Sequence, residues 1–279
     1  MPTGVLYIVA TPIGNLEDIT LRAVRILKEA DIIAAEDTRH TQKLLNKFDI
    51  HTPLTSYHDH NKEDKAPVLV SRLLEGKNVA LVSDAGTPGI SDPGYFLINL
   101  AIDQKVPVVP IPGATAAIAA LSVSGLATDR FVFEGFLPSK HTARLKRLEE
   151  LTREERTLIF YEAPHRILQT LDDMHAVLGD RKAVLTRELT KVHEQVIRGS
   201  LSEVKKKLEE GSMKGEFTII IQTSSAEAAH EAISPEEYLR NLMIHRGLSK
   251  KEAVAIAAHD LGMPKKEIYK IGLTIKEED

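Results

Sequence analysis

Short apolar runs alternate with helical patterns along the first half of the chain. Leu6 to Ala10, Ile32 to Ala35, Val79 to Val82 and Val106 to Ile111 are short, β-branched and bounded by turn signals, which predicts strands buried on both faces. Leu21 to Ala30, Thr41 to Phe48, Ala66 to Glu75 and Tyr95 to Ile102 space their apolar residues at three and four, which predicts helices. Such alternation implies a parallel sheet covered by helices, expected over residues 1–126. In these sheets ligands sit outside the carboxyl ends of the strands.

A mixed pattern follows over residues 127–226. Phe131 to Phe136, Thr157 to Tyr161, Ala183 to Glu188, Val192 to Arg198 and Glu216 to Gln222 read as strands, the third and fourth as a hairpin. Helical patterns at Thr142 to Leu151 and Pro164 to Leu178 interrupt them. A second α/β domain is expected, with a cleft between the two as a favoured place for a small ligand. Residues 234–279 read as three short helices. Capping boxes at Ser234-Pro-Glu-Glu237 and Ser249-Lys-Lys-Glu252 open the first two, Gly247 and Gly262 stop them, and Pro264 opens the third. Two of these helices joined by the short LGMP connection at 261–264 have the form of a helix-turn-helix, and a docked helical appendage has the same pattern.

Composition excludes several chemistries. The 279 residues contain no cysteine, so disulfides, thiolate metal sites and a cysteine nucleophile are ruled out, and a reducing compartment is expected. The first strand has only six apolar residues and no basic residues before it, which suits a buried strand better than a signal peptide. No run is long enough to cross a bilayer, and a cytoplasmic protein without membrane contact is expected. Net charge is −4, but Lys140 to Arg147 carries four Lys/Arg and no carboxylate. Arg240 to Lys270 carries seven Lys/Arg against three acids, so basic surface is available locally.

The motif GxxxxGK[ST] is absent, and GxGxxG, HExxH and GxSxG are absent too, so the familiar phosphate, dinucleotide, zinc and serine-hydrolase sites have no support. His58-Asp59-His60 stands in a polar loop, and no metal is expected there. Glycine and proline loops with few cations remain at the strand ends: TPIGN at 11–15, SDAGTPGISDPGY at 83–95 and PGATA at 112–116. Gly86, Gly89, Gly94 and Gly113 let the main chain approach a flat, adenosine-like ligand closely.

Six stretches in order carry a resemblance to a known family: TPIGNLEDI at 11–19, AEDTR at 35–39, SDAGTPGISDPG at 83–94, IPGA at 111–114, YEAPHR at 161–166 and RELTK at 187–191. The chain resembles the tetrapyrrole methylase family, in the branch that methylates ribosomal RNA, over nearly its whole length. The resemblance implies two α/β domains of the tetrapyrrole methylase type with the cofactor cleft between them, plus a small C-terminal helix-turn-helix-like domain. It implies a homodimer that uses S-adenosyl-L-methionine to methylate the 2'-oxygen of a cytidine in small-subunit ribosomal RNA, free or in the assembled subunit. Cofactor contacts are then expected from Pro12, Gly86, Thr87, Pro88, Ile90 and Ser91, from Pro112, Gly113, Ala114, Thr115 and Ala116, and from Tyr161, Glu162, Ala163, Gly215, Glu216 and Phe217. Thr87 stands where many relatives carry aspartate, with Asp84 and Asp92 on either side.

A ribose hydroxyl is a poor nucleophile, so a base or a cation beside the developing alkoxide should help. Candidates at the strand ends are Glu36, Asp37, Arg39, Arg187, Glu188, Lys191 and Glu194. Asp37 or Glu36 is expected to organise the site, and Arg39 and Arg187 to hold RNA phosphate. Methylation of a tetrapyrrole is one alternative, disfavoured by the basic stretch and the tail. A nonenzymatic regulator that binds nucleic acid through the tail is another.

Overall fold

A computed structural model describes residues 2–223, 235–244, 249–260 and 263–274. The first domain is built on five parallel strands, β1 (Leu6–Val9), β2 (Ile32–Ala35), β3 (Leu54–Ser56), β4 (Val79–Val82) and β5 (Val108–Ile111). Their spatial order is β3-β2-β4-β1-β5. Successive residues of a strand face opposite sides of a sheet, and both sides here are apolar. Val79 and Leu81 join the core under α3 (Lys62–Leu74) and α4 (Gly94–Asp103), whereas Ala80 and Val82 join the core under α1 (Leu21–Glu29) and α2 (Thr38–Lys47).

Two differences from the sequence pattern have local causes. β3 was not expected because it is a three-residue, half-buried edge strand, and it makes the glycine loop at 83–95 follow the fourth strand rather than the third. α3 starts at Lys62 and carries Pro67 inside it, so that proline does not mark the first turn.

The second domain is a mixed sheet of β6 (Phe131–Phe136), β7 (Thr157–Glu162), β8 (Lys182–Arg187), β9 (Gln195–Ser200) and β10 (Phe217–Ile221), ordered β6-β7-β10-β8-β9. β6 and β7 run parallel and the other pairs antiparallel, with β8 and β9 forming the expected hairpin. One face is covered by α6 (His141–Glu150), α7 (Ile167–Leu178) and α8 (Leu201–Glu209). The other face takes α5 (Ala116–Ser124), the last helix of the first domain, whose Ala117, Ala120 and Leu121 pack on Ile159, Val184 and Ile220.

Both ends of α5 are also held from the second sheet. The Tyr161 hydroxyl accepts the Ala117 N–H at 3.1 Å, and Arg198 donates to the carbonyls of Val123 and Ser124. These groups have no partner inside the helix, so their pairing fixes α5 along its length.

The tail helices α9 (Pro235–Ile244), α10 (Lys250–Asp260) and α11 (Lys265–Thr274) share a small core of Leu239, Leu242, Ala253, Val254, Ala257 and Ile268. The Ser249–Glu252 capping box is formed, with Glu252 Oε2 accepting the Ser249 N–H at 3.0 Å. Ser234, Gly247 and Gly262 lie outside the described residues.

The turn from β7 into α7 brings the second domain to the cleft, and a buried carboxylate fixes it. Glu162, with its side chain 1% exposed, accepts from Arg166 Nε at 2.5 Å, from the Thr170 hydroxyl at 2.7 Å and from the Ala163 N–H at 2.7 Å. Removing one partner of a buried ion pair strands the other. Glu162→Ala is therefore expected to lower unfolding free energy by about 3–5 kcal/mol, read from urea midpoints at constant m.

Candidate active site between the domains

The carboxyl ends of β1, β2, β4 and β5 carry four loops, and backbone pairing locks two of them together. Thr11 and Gly86 exchange both main-chain hydrogen bonds, at 2.9 and 3.1 Å, and the Thr11 hydroxyl donates to the Ser83 carbonyl. Gly86 needs its φ of +84° for this contact, a region that side chains disfavour. Farther along the loop, Asp92 Oδ1 accepts the N–H groups of Gly89 and Gly94 at 2.7 and 2.8 Å, and a Cβ on Gly94 would meet the Gly89 nitrogen at 2.7 Å. Asp92 thus pins its own loop. Asp84 reaches the neighbouring loop instead, accepting the Asp37 N–H at 2.9 Å.

These loops and the near edge of the second sheet enclose a cavity of about 460 Å³, within the range of small-ligand sites. Gly86, Thr87, Ile90, Ser91, Thr115 and Ala116 line it from the first domain, and Tyr161, Glu162, Ala163, Glu216 and Phe217 from the second. Other residues of the expected cofactor set lie elsewhere. Pro12 lines a neighbouring hollow, and Pro88 sits in a narrow crevice with Tyr57 and Pro93. Pro112, Gly113 and Ala114 do not line the cavity: a Cβ on Gly113 would meet Ala10 Cβ at 2.8 Å, and the Ala114 carbonyl accepts the Thr87 hydroxyl at 3.5 Å. Gly215, at φ +107°, packs over Glu188 rather than facing the cavity.

Ile13, Ser83, Phe136, Thr186, Leu189 and Thr218 line the cavity without having been singled out. A signal existed for two of them. Thr186 and Thr218 are polar residues in otherwise apolar strands, paired in register on β8 and β10.

Of the charged candidates, Glu36 alone lines this cavity. Burial pushes its carboxyl up first, and the charges of Asp84 and Asp92 add to the shift. Asp37 plays a different part, capping α2 and holding Arg39 in a two-point ion pair, which brings its carboxyl down to about 2. Arg39 projects from that pair with its side chain 90% exposed. Arg187 donates to the carbonyls of Ser212 and Lys214, closing the loop before β10. Lys191 bridges Glu188 at 2.8 Å and Glu216 at 3.0 Å, and Glu194 accepts the Thr190 N–H.

The cavity is acidic. Glu36, Asp84, Asp92, Glu162 and Glu216 line it, and no Lys, Arg or His does. Glu162 is balanced by Arg166 and Glu216 by Lys191, and the other three have no ion-pair partner among the described residues. Burial also pushes the Asp92 carboxyl up, against the two N–H groups that it accepts. A phosphate would be repelled here, whereas a positively charged ligand relieves the mutual repulsion. Phe136 and Tyr161 add aromatic faces for a flat ring, whereas the Phe217 ring packs into the core on the other side of the sheet. Ser91, Glu188 and Thr190 hold φ values of 66°, 51° and 67°, left-handed conformations gathered around the cleft.

The Lys140 to Arg147 stretch proves less basic at the surface than its sequence. Arg144 is buried against Asp173 at 2.6 Å, and Arg147 pairs with Glu134 and Glu150. Among the described residues no group of three His, Cys, Asp or Glu is placed to hold a metal, and no helix is long and apolar enough to cross a membrane.

Comparison with known proteins gives this site a context. Residues 5–205 match the family model described as Tetrapyrrole (Corrin/Porphyrin) Methylases. Uroporphyrin-III C-methyl transferase from Thermus thermophilus, solved in complex with S-adenyl homocysteine, superposes with a TM-score of 0.56 at 22% identity, covering 78% of this chain and 97% of that one. Ribosomal RNA small subunit methyltransferase I of Halalkalibacterium halodurans is 52% identical, covering 96% of this chain and 94% of that protein. The protein of the same name from Synechocystis is 50% identical, covering 99% of both chains. The chain therefore belongs to the tetrapyrrole methylase family and, within it, to the group of the ribosomal RNA small subunit methyltransferase I proteins.

Proposed function

We propose that this protein is an S-adenosyl-L-methionine-dependent methyltransferase acting on small-subunit ribosomal RNA, with a cytidine 2'-oxygen as acceptor. One observation carries the reading. A chain half identical to proteins of that name, over nearly its whole length, has an interdomain cavity rich in carboxylates and free of lining cations. S-adenosylmethionine carries a sulfonium and an ammonium, and the residues fit that charge. Gly86, Thr87, Ser91, Thr115, Ala116 and Tyr161 would hold it, with Glu36 and Asp84 facing its positive groups.

When bound, the cofactor supplies a methyl group on a positively charged sulfur. The chain's own part is to align an acceptor oxygen with that methyl and to take the proton the oxygen gives up. Glu36 is our assignment for the proton acceptor, because it is the lining carboxylate among the charged candidates and its raised pKa makes it the stronger base. Asp37, locked to Arg39 and to the α2 N-terminus, keeps the Glu36 loop in place.

A homodimer in the cytoplasm goes with this reading. Tyr95 and Ile102, one face of α4, are 70% and 55% exposed, and Phe96 beside them is 39% exposed. Apolar residues grouped in this way favour a protein interface. A Tyr95→Lys, Ile102→Lys variant is expected to shift the mass by light scattering from dimer to monomer.

Small ribosomal subunits lacking the modification should accept label from methyl-labelled S-adenosylmethionine in the presence of this protein, and nucleoside mass spectrometry should place it as 2'-O-methylcytidine. Label absent from RNA but present on a porphyrinoid acceptor would favour the tetrapyrrole reading. Tight duplex DNA binding without any transfer would favour a regulator.

Glu36→Gln should lower kcat by ~100-fold or more, while cofactor affinity, measured by calorimetry, falls by far less because Asp84 and Asp92 remain. In the parent protein kcat should fall as pH drops through the raised Glu36 value, since the base must be ionised. The stability effect has the opposite direction. A carboxyl whose folded pKa lies above its unfolded one contributes stability below the unfolded value and loses it as pH rises through the folded value. Glu36→Gln is therefore expected to keep or raise the thermal midpoint at pH ~7.5 while turnover falls.

A further inference from the structure

A second hollow of about 290 Å³ lies beside the cavity, and its charge is inverted. Pro12 and Leu16 from the loop after β1 form one side, His40, Lys43 and Leu44 of α2 another, and Lys191 closes it from the second domain. His40 and Lys43 thus share the lining with one carboxylate, Asp84, while Lys191 is already held by Glu188 and Glu216. Neither His40 nor Lys43 has a carboxylate partner among the described residues, and both are exposed.

The two compartments adjoin along a shared wall. Ser83 and Asp84 line both of them. From the second domain the same wall is completed by an ion pair, because Lys191 lines the hollow and its partner Glu216, at 3.0 Å, lines the cavity. Passage of Lys191 across the first domain depends on Gly14, where a Cβ would meet Lys191 Cγ at 2.4 Å.

A group suited to the hollow needs an anion for His40 and Lys43 and an apolar or flat part for Pro12, Leu16 and Leu44. A nucleotide splayed out of single-stranded RNA has both. We propose that this hollow takes the acceptor nucleotide, with Lys43 and His40 on its phosphate and the ribose at the Ser83–Asp84 boundary, where its 2'-oxygen meets the cavity. This rests on the RNA methyltransferase reading above. It assigns the phosphate contact to His40 and Lys43 rather than to Arg39, which is tied to Asp37, or Arg187, which is tied to backbone carbonyls.

The test compares four variants with the parent protein on unmethylated small ribosomal subunits. Lys43→Ala and His40→Ala remove the cations, Leu16→Trp fills the hollow, and Lys47→Ala is a control one turn farther along α2, outside the lining. Lys43→Ala should raise the KM for subunits by about five- to tenfold and reduce the slope of log affinity against log salt by about 1, with kcat and cofactor affinity unchanged. Leu16→Trp should lose subunit binding and keep cofactor binding, and Lys47→Ala should match the parent. If the parent transfers methyl but Lys43→Ala and Leu16→Trp behave like Lys47→Ala, the assignment of the hollow is overturned and the function stands. If the parent transfers no methyl to RNA, both fall together.

Discussion

The seating of α5 on the second sheet is the contact on which the site depends. The cavity has no closed wall in either domain alone, since one side is the loop edge of the parallel sheet and the other the edge of the mixed sheet. Their separation is set where Ala117, Ala120 and Leu121 meet Ile159, Val184 and Ile220. Small residues on the helix let it approach the strands closely, and close packing makes that distance stiff. The caps add direction. Tyr161 takes an N-terminal N–H and Arg198 takes C-terminal carbonyls, so the helix cannot slide along the sheet without stranding polar groups. Tyr161 also lines the cavity, so one side chain both fixes the domain geometry and faces the ligand.

That geometry lets one cleft hold two opposite fields. The cavity gathers Glu36, Asp84 and Asp92 without a balancing cation, while the adjoining hollow presents His40, Lys43 and Lys191. Such a division suits methyl transfer from a sulfonium to RNA, because the cofactor is cationic, the RNA backbone anionic, and the two must meet at one point. Asp84 belongs to both compartments and also holds the Asp37 N–H, which fixes the loop that carries Glu36. The acidic side has an energetic consequence. Burial, with the charges of Asp84 and Asp92 behind it, raises the Glu36 pKa, and burial raises that of Asp92, so a cationic ligand that relieves both stabilises the filled state.

Much of the fold could be read from the chain because its strands are short apolar runs between strong turn signals, and four of the first domain's five were found in that way. The helix that matters most was not. Residues 116–124 read AAIAALSVS, apolar on nearly every side: the face packed on the second sheet is apolar, and the outward face carries Ile118 and Val123 rather than charged residues, so no period of 3.6 stands out. α8 was missed for another reason, since it begins directly after β9 at the capping residue Ser200 with no loop between them. The glycine loops were legible because the demand for positive φ and close approach is local, as at Gly86 and Gly94.

Charged residues were less legible, because their roles depend on what lies opposite them in space. Glu36 and Asp37 are adjacent and chemically alike, yet one faces the cavity and the other caps a helix. Arg144 and Lys140 sit in the same basic stretch, yet one is 1% exposed against Asp173 and the other is at the surface. No spacing rule separates these cases: the helix phase that turns Arg144 inward is set by α7, which supplies Asp173 from 29 residues away. A strand end offers a carboxylate to the cleft only if its neighbour is already engaged elsewhere. Here the cap bond of Asp37 and its pairing with Arg39 make that choice, and so determine that the carboxylate left in the acidic cavity is Glu36.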